Sequence, residues 1–562
     1  MLRSSGFKMT FPKENPVVNI PDDVLAQLRR GIIHRQIDSG MLCLSEHENL
    51  LEHLDPTQKN AARLVGYYAQ WLDIGYGQHS RLKDLLARFS TEIRANLPLS
   101  EYVDLRLADG MLAMNEEAAD EALAHFNVVL ALGGDLSDKE KLALANFWKS
   151  RCLRKIGEYD EALISTMKAS ALGLELGYPK MAAVMQVLES WLIFQAGKTD
   201  RAEQILHQAE HVLRQSDDFV TLGNIYSSYG RMARRAGQYD KAILHFSKAI
   251  EEYRKRGSQH PHMVRTLTNI ALVKQLISLH IGQKIDAQTK KRRKAAARGQ
   301  KVKQGTVPPR ASREQLREEA FHHLEEAEAI NKRNESDQGS SSIHLVYGYL
   351  YLDDGDYEHA EHHATTGLEQ ARRKNDPIGL SRLSLLHCMI ENAKVDDGIG
   401  EKNDAEVHAR QALAWAQDAI KFAKQTQNRR LLGNAYVWEG LTYANPFLHE
   451  LEAAHKSYDS ALALLKGDQV GQLWNDLETL KRRLQPKARI EDKLRSWSQG
   501  SVGEKSFQQI LDEFTELIIP KIWENEGRKV SRVAARLSIS PKKVRRILEA
   551  VGARNGTTIR GK

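Results

Sequence analysis

Small residues recur along this chain at intervals of 40: Gly110, Ser150, Ser190 and Gly230 form one series, and Ala122, Ala162, Ala202 and Ala242 form a second, displaced by a constant 12 positions. A beat of this length means that one supersecondary unit is stacked again and again, because a single unit cannot bury its own apolar face. Four and seven residues after each alanine come Phe126/Val129, Thr166/Ala169, Leu206/Ala209 and Phe246/Ala249, the spacing that sets three residues on one face of a helix. Between the two series lie the turns "KIGEYDEA" (155–162), "QAGKTDRA" (195–202) and "RAGQYDKA" (235–242). Each unit is therefore predicted to be a pair of antiparallel helices, with a small residue on one facing a small residue on the other so that the axes approach closely.

The best-formed unit, "IYSSYGRMARRAGQYDKAILHFSKAI" (225–250), resembles a tetratricopeptide repeat, with Tyr226, Tyr229, Gly230, Ala242, Phe246 and Ala249 at that family's positions. Further units place Gly348, Ala360, Ala364 and Gly367, then Ala405, Ala409 and Ala412, then Gly440, Ala454, Tyr458 and Ala461 in the same pattern. The resemblance covers residues 100–467 and implies a peptide- or protein-binding concave wall made by the first helices. The expected fold class is all-α: a tetratricopeptide-like helical-hairpin solenoid followed by a small C-terminal helix-turn-helix domain. The expected divisions are a flexible N-terminus (1–20), a helical N-terminal cap (21–99), the array (100–484), a linker marked by Pro486, Gly500 and Gly503 (485–503), and the terminal domain (504–562).

One unit is interrupted. Its first helix is predicted near 263–281 and its second resumes with Ala320, Leu324 and Ala327 on the expected face. Between them residues 283–312 carry a Lys/Arg-rich segment ending at Pro308 and Pro309, too poor in apolar surface to order itself and so expected to be a disordered loop. Three roles stay open for this basic loop: a solvated loop without a partner, a nucleic-acid contact, or a nuclear-localisation signal if the source is eukaryotic. The net charge of +8 conceals its distribution, since residues 284–310 and 521–562 are both strongly basic and the remainder is acidic. Two basic islands on an acidic body fit a nucleic-acid partner, whose phosphates release counterions on binding fixed cations.

The second island is patterned. "FQQILDEFTELIIPKIWENEG" predicts a long amphipathic helix with Phe507, Ile510, Leu511, Phe514, Leu517, Ile518 and Trp523 along one side and a kink at Pro520. Two short helices follow, the first turning Val530, Val533, Ala534 and Leu537 inward and the second Val544, Ile547, Leu548 and Val551. Ser540 and Pro541 start the second helix with a capping hydroxyl and a proline that forfeits no amide bond. This is the pattern of a helix-turn-helix, whose second helix enters the DNA major groove.

Segment 506–552 resembles the Fis-type DNA-binding domain, also found at the C-terminus of bacterial nitrogen-regulator activators. The residues that carry the likeness are "ELIIPKIWENEGRKVSRVAARL", "LSI" and "SPKKVRRIL". Ser538 stands where glycine is usual, Pro541 replaces an arginine and Arg545 an aromatic or small residue, so the turn requires a serine to take the glycine's backbone geometry and base preference does not carry over. The resemblance implies a homodimer through 506–525. Lys542, Lys543 and Arg546 are assigned toward bases of double-stranded DNA, Arg528, Lys529, Arg532 and Arg545 toward phosphates, with Ser540 at the helix start. The alternative is that these charges only solvate a small bundle.

In the array, the register sets Arg151, Arg154, Lys155, Trp191, Phe194, Arg231, Arg234, Arg235 and Lys274 on the first-helix wall, a basic groove with an aromatic floor suited to an acidic or carboxylate-terminated peptide. The alternative is a merely wet face with Trp191 packed between repeats. His322, His323, His359, His362 and His363 lack a matching carboxylate or cysteine cluster and are read as solvated, with no metal expected. "DDGDYEHA" (353–360) lacks the distal glutamate of a calcium loop, and no P-loop, dinucleotide fingerprint, nucleophile elbow or zincin signature occurs, so neither cofactor nor catalytic residue is expected. Cys43, Cys152 and Cys388 are far apart, and neither a signal-like N-terminus nor a membrane-spanning apolar run occurs. The expected protein is a cytoplasmic, non-enzymatic DNA-binding transcriptional regulator whose array senses a protein or peptide partner. The rival is a scaffold that uses the array for protein–protein contact and the basic tail as a nucleic-acid tether.

Overall fold

A computed structural model describes residues 20–75, 78–135, 137–296, 310–334, 336–399, 402–467, 471–484, 497 and 505–554. The chain divides into two compact units, one comprising Met1–Glu439 and Asp459–Leu477, the other Gly440–Tyr458 and Glu478–Lys562. The described residues contain helices and turns and no strand, and no helix among them is long and apolar enough to cross a membrane.

The first unit opens with α1 (Asp22–His34), α2 (Ile37–Glu46), α3 (Glu48–Glu52), α4 (Ala61–Ile74), α5 (His79–Ala87) and α6 (Thr91–Ala95). Their apolar side chains merge with those of the first repeats, in one core that runs from Ile20 to Cys152, so the array does not begin with a wet apolar face. Fully buried Trp71 of α4 anchors this cap: a Cβ on Gly31 or Gly40 would come within 2.8 Å or 2.1 Å of its ring.

Helical hairpins follow: α7 (Leu99–Asn115) with α8 (Ala119–Ala131), α9 (Lys139–Ile156) with α10 (Tyr159–Glu175), α11 (Pro179–Gln195) with α12 (Thr199–Leu213), and α13 (Phe219–Arg235) with α14 (Tyr239–Arg254). The series continues as α15 (Met263–Ala296) with α16 (Arg310–Arg333), α17 (Ser340–Asp353) with α18 (Tyr357–Arg373), and α19 (Pro377–Asp397) with α20 (Lys402–Ala423), and then α21 (Arg429–Tyr443), α22 (Leu451–Leu465) and α23 (Gln472–Leu484). This is the tetratricopeptide-like hairpin array that the 40-residue beat demands.

The beat has two chemistries. Ala122, Ala162, Ala202 and Ala242 are all fully buried where paired helices cross. Opposite two of them stand serines whose hydroxyls bond across the crossing, Ser150 Oγ to the Ala162 carbonyl and Ser190 Oγ to the Ala202 carbonyl, each at 2.7 Å. Opposite the other two stand glycines, and there the freed space holds a ring: a Cβ on Gly110 would lie 2.6 Å from Phe126, and one on Gly230 2.5 Å from Phe246. The expected small-against-small contact is thus refined into a serine that bonds or a glycine that admits phenylalanine.

The basic insertion differs from expectation. Instead of a disordered segment from 283, α15 continues as helix through Ala296; positions 297–309 lie outside the described residues. Lys, Arg, Gln and Ala are good helix formers, and a helix already nucleated by its packed first half extends cheaply without tertiary support.

Turns of the array meet. The Gln427 amide donates to the Gly157 carbonyl at 2.9 Å, the Asp160 amide to Gln427 Oε1 at 2.7 Å, and Lys374 reaches Glu117 at 2.6 Å. In the cap, Arg35 pairs with buried Asp218 at 2.7 Å, and the amides of Ile37 and Asp38 donate to Asp217 at 2.8 and 2.6 Å. Unit 1 therefore winds back on itself.

In the second unit, α24 (Phe507–Asn525), α25 (Val530–Leu537) and α26 (Pro541–Arg554) pack around Ile519, Val530, Val533, Ala534, Val544, Ile547 and Leu548. α24 runs through Pro520 without ending; of the expected stripe Trp523 packs against this core, joined by Ile519 and Ile522, while Phe507, Leu511 and Phe514 are exposed. The side chain of Val551 and the expected linker 485–503, except Trp497, fall outside the described residues, as does the N-terminus to residue 19.

Gly230→Ala tests the packing rule. Driving a methyl into Phe246 costs about 1–3 kcal/mol, whereas Gly134→Ala, which meets open space, leaves the thermal midpoint unchanged.

Candidate functional site

Two surfaces carry chemistry, one in each unit. On the first, the nine residues of the expected groove separate once their partners are seen. Arg151 is held by Asp73 at 2.8 Å, Lys155 by Glu117 at 3.8 Å, and Lys274 by Glu319 at 2.6 Å. Phe194 is buried in the core between α11 and α13, so it is no open floor, and Arg235 stacks on its ring at 4.8 Å while donating to its carbonyl at 3.1 Å. Trp191 meets Tyr159 edge-on at 5.4 Å and carries the Arg154 guanidinium over its ring at 5.3 Å.

Arg154, Arg231 and Arg234 are left without a carboxylate. Arg231 bonds only Ser228 Oγ at 2.8 Å, and Arg234 the Asn269 side-chain oxygen at 2.7 Å. Two arginines that the sequence did not single out join them: Arg265 on α15 and Arg382 on α19, neither ion-paired among the described residues. Desolvation pushes the guanidinium pKa of Arg154, Arg231, Arg234 and Arg265 down. Mutual repulsion adds to it, from Arg265, Arg151 and Arg231 on Arg154 and from Arg382, Arg231 and Arg430 on Arg234. At about 9 for Arg154, about 10 for Arg231 and about 9 for Arg234, those three remain charged near neutrality. Arg265 and Arg382 are nonetheless exposed, so the wall faces water inside the winding.

Further along, the sign reverses. Asp353 accepts from Gln275 at 2.7 Å, Asp476 from Gln472 at 2.8 Å, and His280 meets Gln472 at 3.2 Å. Burial raises the carboxyl pKa of Asp353 to about 6 and of Asp476 to about 7. Half-buried Tyr349 lies near both, its phenol raised to about 12 by desolvation, with Arg382 acting against Asp476 and Asp353.

Among the described residues no three ligating side chains gather. His359 and His362 are exposed, as expected, but His363 is half-buried, stacked on Tyr347 at 4.7 Å and Tyr351 at 5.5 Å with His344 Nδ1 2.9 Å away. That stack lines the α17/α18 crossing.

The second surface lies on the terminal three helices. Ser538 takes the left-handed conformation, φ 54°, that the sequence required of it, and the turn closes by Ile539 N–H donating to the Ala534 carbonyl at 3.1 Å. Ser540 Oγ accepts from the Lys543 amide at 3.2 Å, fixing the start of α26. Val544, Ile547 and Leu548 face inward, which turns Lys542, Lys543, Arg545 and Arg546 outward, all exposed. Arg528, Lys529 and Arg532 are exposed beside them, and none of these seven cations is ion-paired among the described residues; Arg536, by contrast, is held by Glu526. On α24, Phe507, Leu511 and Phe514 are 79%, 41% and 43% exposed on one face.

No protein-family model matches the chain, and no curated protein does. Among solved structures, it is similar to the apo form of the quorum sensor NprR from B. thuringiensis (12% identity, 79% of this chain and 98% of that one, TM-score 0.40). It is similar too to the Rap conjugation gene regulator of plasmid pLS20 in complex with the Phr* peptide (12%, 72% and 96%, TM-score 0.42). The human IFIT1 dimer with m7Gppp-AAAA is a third (15%, 80% and 96%, TM-score 0.44).

Two outcomes follow from these geometries. Ser538→Gly relieves the left-handed strain and stabilises the terminal unit by about 1 kcal/mol, read as a higher denaturant midpoint for Trp523 fluorescence. Asp476 is raised on folding, so the folded state holds a proton that the unfolded state has released; its contribution to stability falls as pH climbs from the ordinary carboxylate value of 3.8 to about 7. The advantage of Asp476→Asn over the parent in thermal midpoint therefore grows across that window and levels above it.

Proposed function

We propose that this protein is a non-enzymatic, cytoplasmic DNA-binding transcriptional regulator. Its three terminal helices form a helix-turn-helix of the Fis type, and its array takes a protein or peptide partner along the inner wall. The observation that carries the reading is the unpaired, outward basic face of α26 on a closed apolar core. A helix so exposed fits the major groove, with its positive N-terminal end and Lys542 and Lys543 at the duplex and Arg546 one turn further on. Arg528, Lys529, Arg532 and Arg545 flank it as phosphate contacts. The half-exposed face of Phe507, Leu511 and Phe514 supplies a pairing surface for a second copy, which would set half-sites about 34 Å apart.

The test is selection of duplexes by the full chain at physiological salt, followed by anisotropy on the enriched sequence. A regulator prefers that duplex to a scrambled one by at least about 1000-fold. Deleting 504–562 abolishes the preference and leaves the array's helical signal. Arg546→Gln costs about 1–3 kcal/mol at one base position, whereas Arg532→Gln weakens all duplexes alike and lowers the salt slope by about 1. A preference within a few-fold, with steep salt dependence alone, would make the tail a tether and the protein a scaffold.

A further inference from the structure

Inside the first unit, arginines that face protein are ordinarily answered by carboxylates: Arg35 by Asp218 at 2.7 Å, Arg94 by Asp109 at 2.6 Å, Arg151 by Asp73 at 2.8 Å. Arg154, Arg231, Arg234, Arg265 and Arg382 are not answered by any Asp or Glu within 4.0 Å among the described residues. Nε of Arg154 and of Arg231 is buried without any hydrogen-bond partner. Charges set in a protein interior are paired or costly, and a wall that collects uncompensated guanidinium groups is one whose counter-ions arrive from outside. The five come from α9, α13, α15 and α19, so the site exists only because the array winds back on itself.

We propose that this wall binds a short acidic peptide segment, laid with its carboxylates on the five arginines and a protonated amine toward Asp353 and Asp476. The inference rests on the reading of the array as a partner-binding element and names that partner's chemistry. Guanidinium forks grip carboxylate and phosphate alike, so charge alone does not select between them. The change of sign across Tyr349 does. A phosphate chain following the wall past Arg382 would meet two carboxyls bonded only to the amides of Gln275 and Gln472. A peptide changes charge residue by residue and matches both halves. Trp191, already under Arg154, gives the carboxylate end an apolar flank.

The experiment uses the full chain and calorimetric titration with three probes: a peptide with a free amino end, a glycine–serine spacer and four glutamates; its glutamine counterpart; and inorganic tripolyphosphate. The glutamate peptide binds, the glutamine peptide does not, and Arg265→Gln, at an exposed position, weakens binding roughly tenfold or more. Without ligand, Arg265→Gln melts no lower than the parent, because it removes a repulsion and no ion pair. Acetylating the peptide's amine weakens it for the parent but not for Asp353→Asn. Tighter binding of tripolyphosphate than of the glutamate peptide would overturn the assignment, as would unchanged affinity in Arg265→Gln or no binding of either anion. Duplex binding is measured on the same samples, so lost peptide binding beside intact duplex binding strikes this ligand and leaves the DNA-binding reading standing.

Discussion

The structure depends on how closely two helices can cross at a fully buried alanine. Ala122, Ala162, Ala202 and Ala242 leave no side chain beyond Cβ at the crossing, and the residue 12 positions earlier decides what occupies the space. A serine, itself fully buried, satisfies its hydroxyl on the alanine carbonyl; a glycine opens a slot that a phenylalanine fills. Both keep the interaxial distance short, and because each hairpin repeats the same distance, the rotation from one to the next accumulates regularly.

Winding is what converts a row of surface arginines into an interior. A first helix in an isolated hairpin would show Arg154, Arg231 or Arg265 to bulk water, where repulsion among them is screened within about 8 Å at physiological salt. Once the turn at Gly157 meets Gln427, and Glu117 meets Lys374, the helices that carry these guanidinium groups are held together and the groups feel one another. The hydrogen bonds across the winding and the repulsion within it oppose each other.

What could be read from the sequence follows the range of each interaction. Hairpin boundaries, the buried alanines, the glycine-like backbone of Ser538 and the cap at Ser540 are set within a dozen residues, and local periodicity and turn chemistry reveal them. Phe194, Lys274 and Arg151 looked like groove residues because periodicity gives a face but not the partner opposite: Asp73 lies 78 positions from Arg151, and Glu319 lies beyond the insertion from Lys274. Arg265 and Arg382 were passed over because they sit at the beginnings of their helices, while the register drew attention to the ends; only the winding brings them to the same wall. The helix through 283–296 was missed for the opposite reason, since composition argued against burial and helix propagation needs none.

The terminal unit obeys a different balance. Seven side chains make its core among the described residues, several of them only valine or alanine, and a domain of about 50 residues buries a smaller fraction of its surface than a large one does. α24 spends its last turns, from Ile519 on, covering α25 and α26, while its first turns hold Phe507, Leu511 and Phe514 out to water. A helix that serves only to complete the three-helix core has no need of those earlier turns, nor of two exposed phenylalanines at one spacing of seven. Their presence fits the proposed pairing of two copies, each exposed face covering the other. Pairing would then supply the burial that one copy lacks and, in the same step, fix the distance between two basic helices.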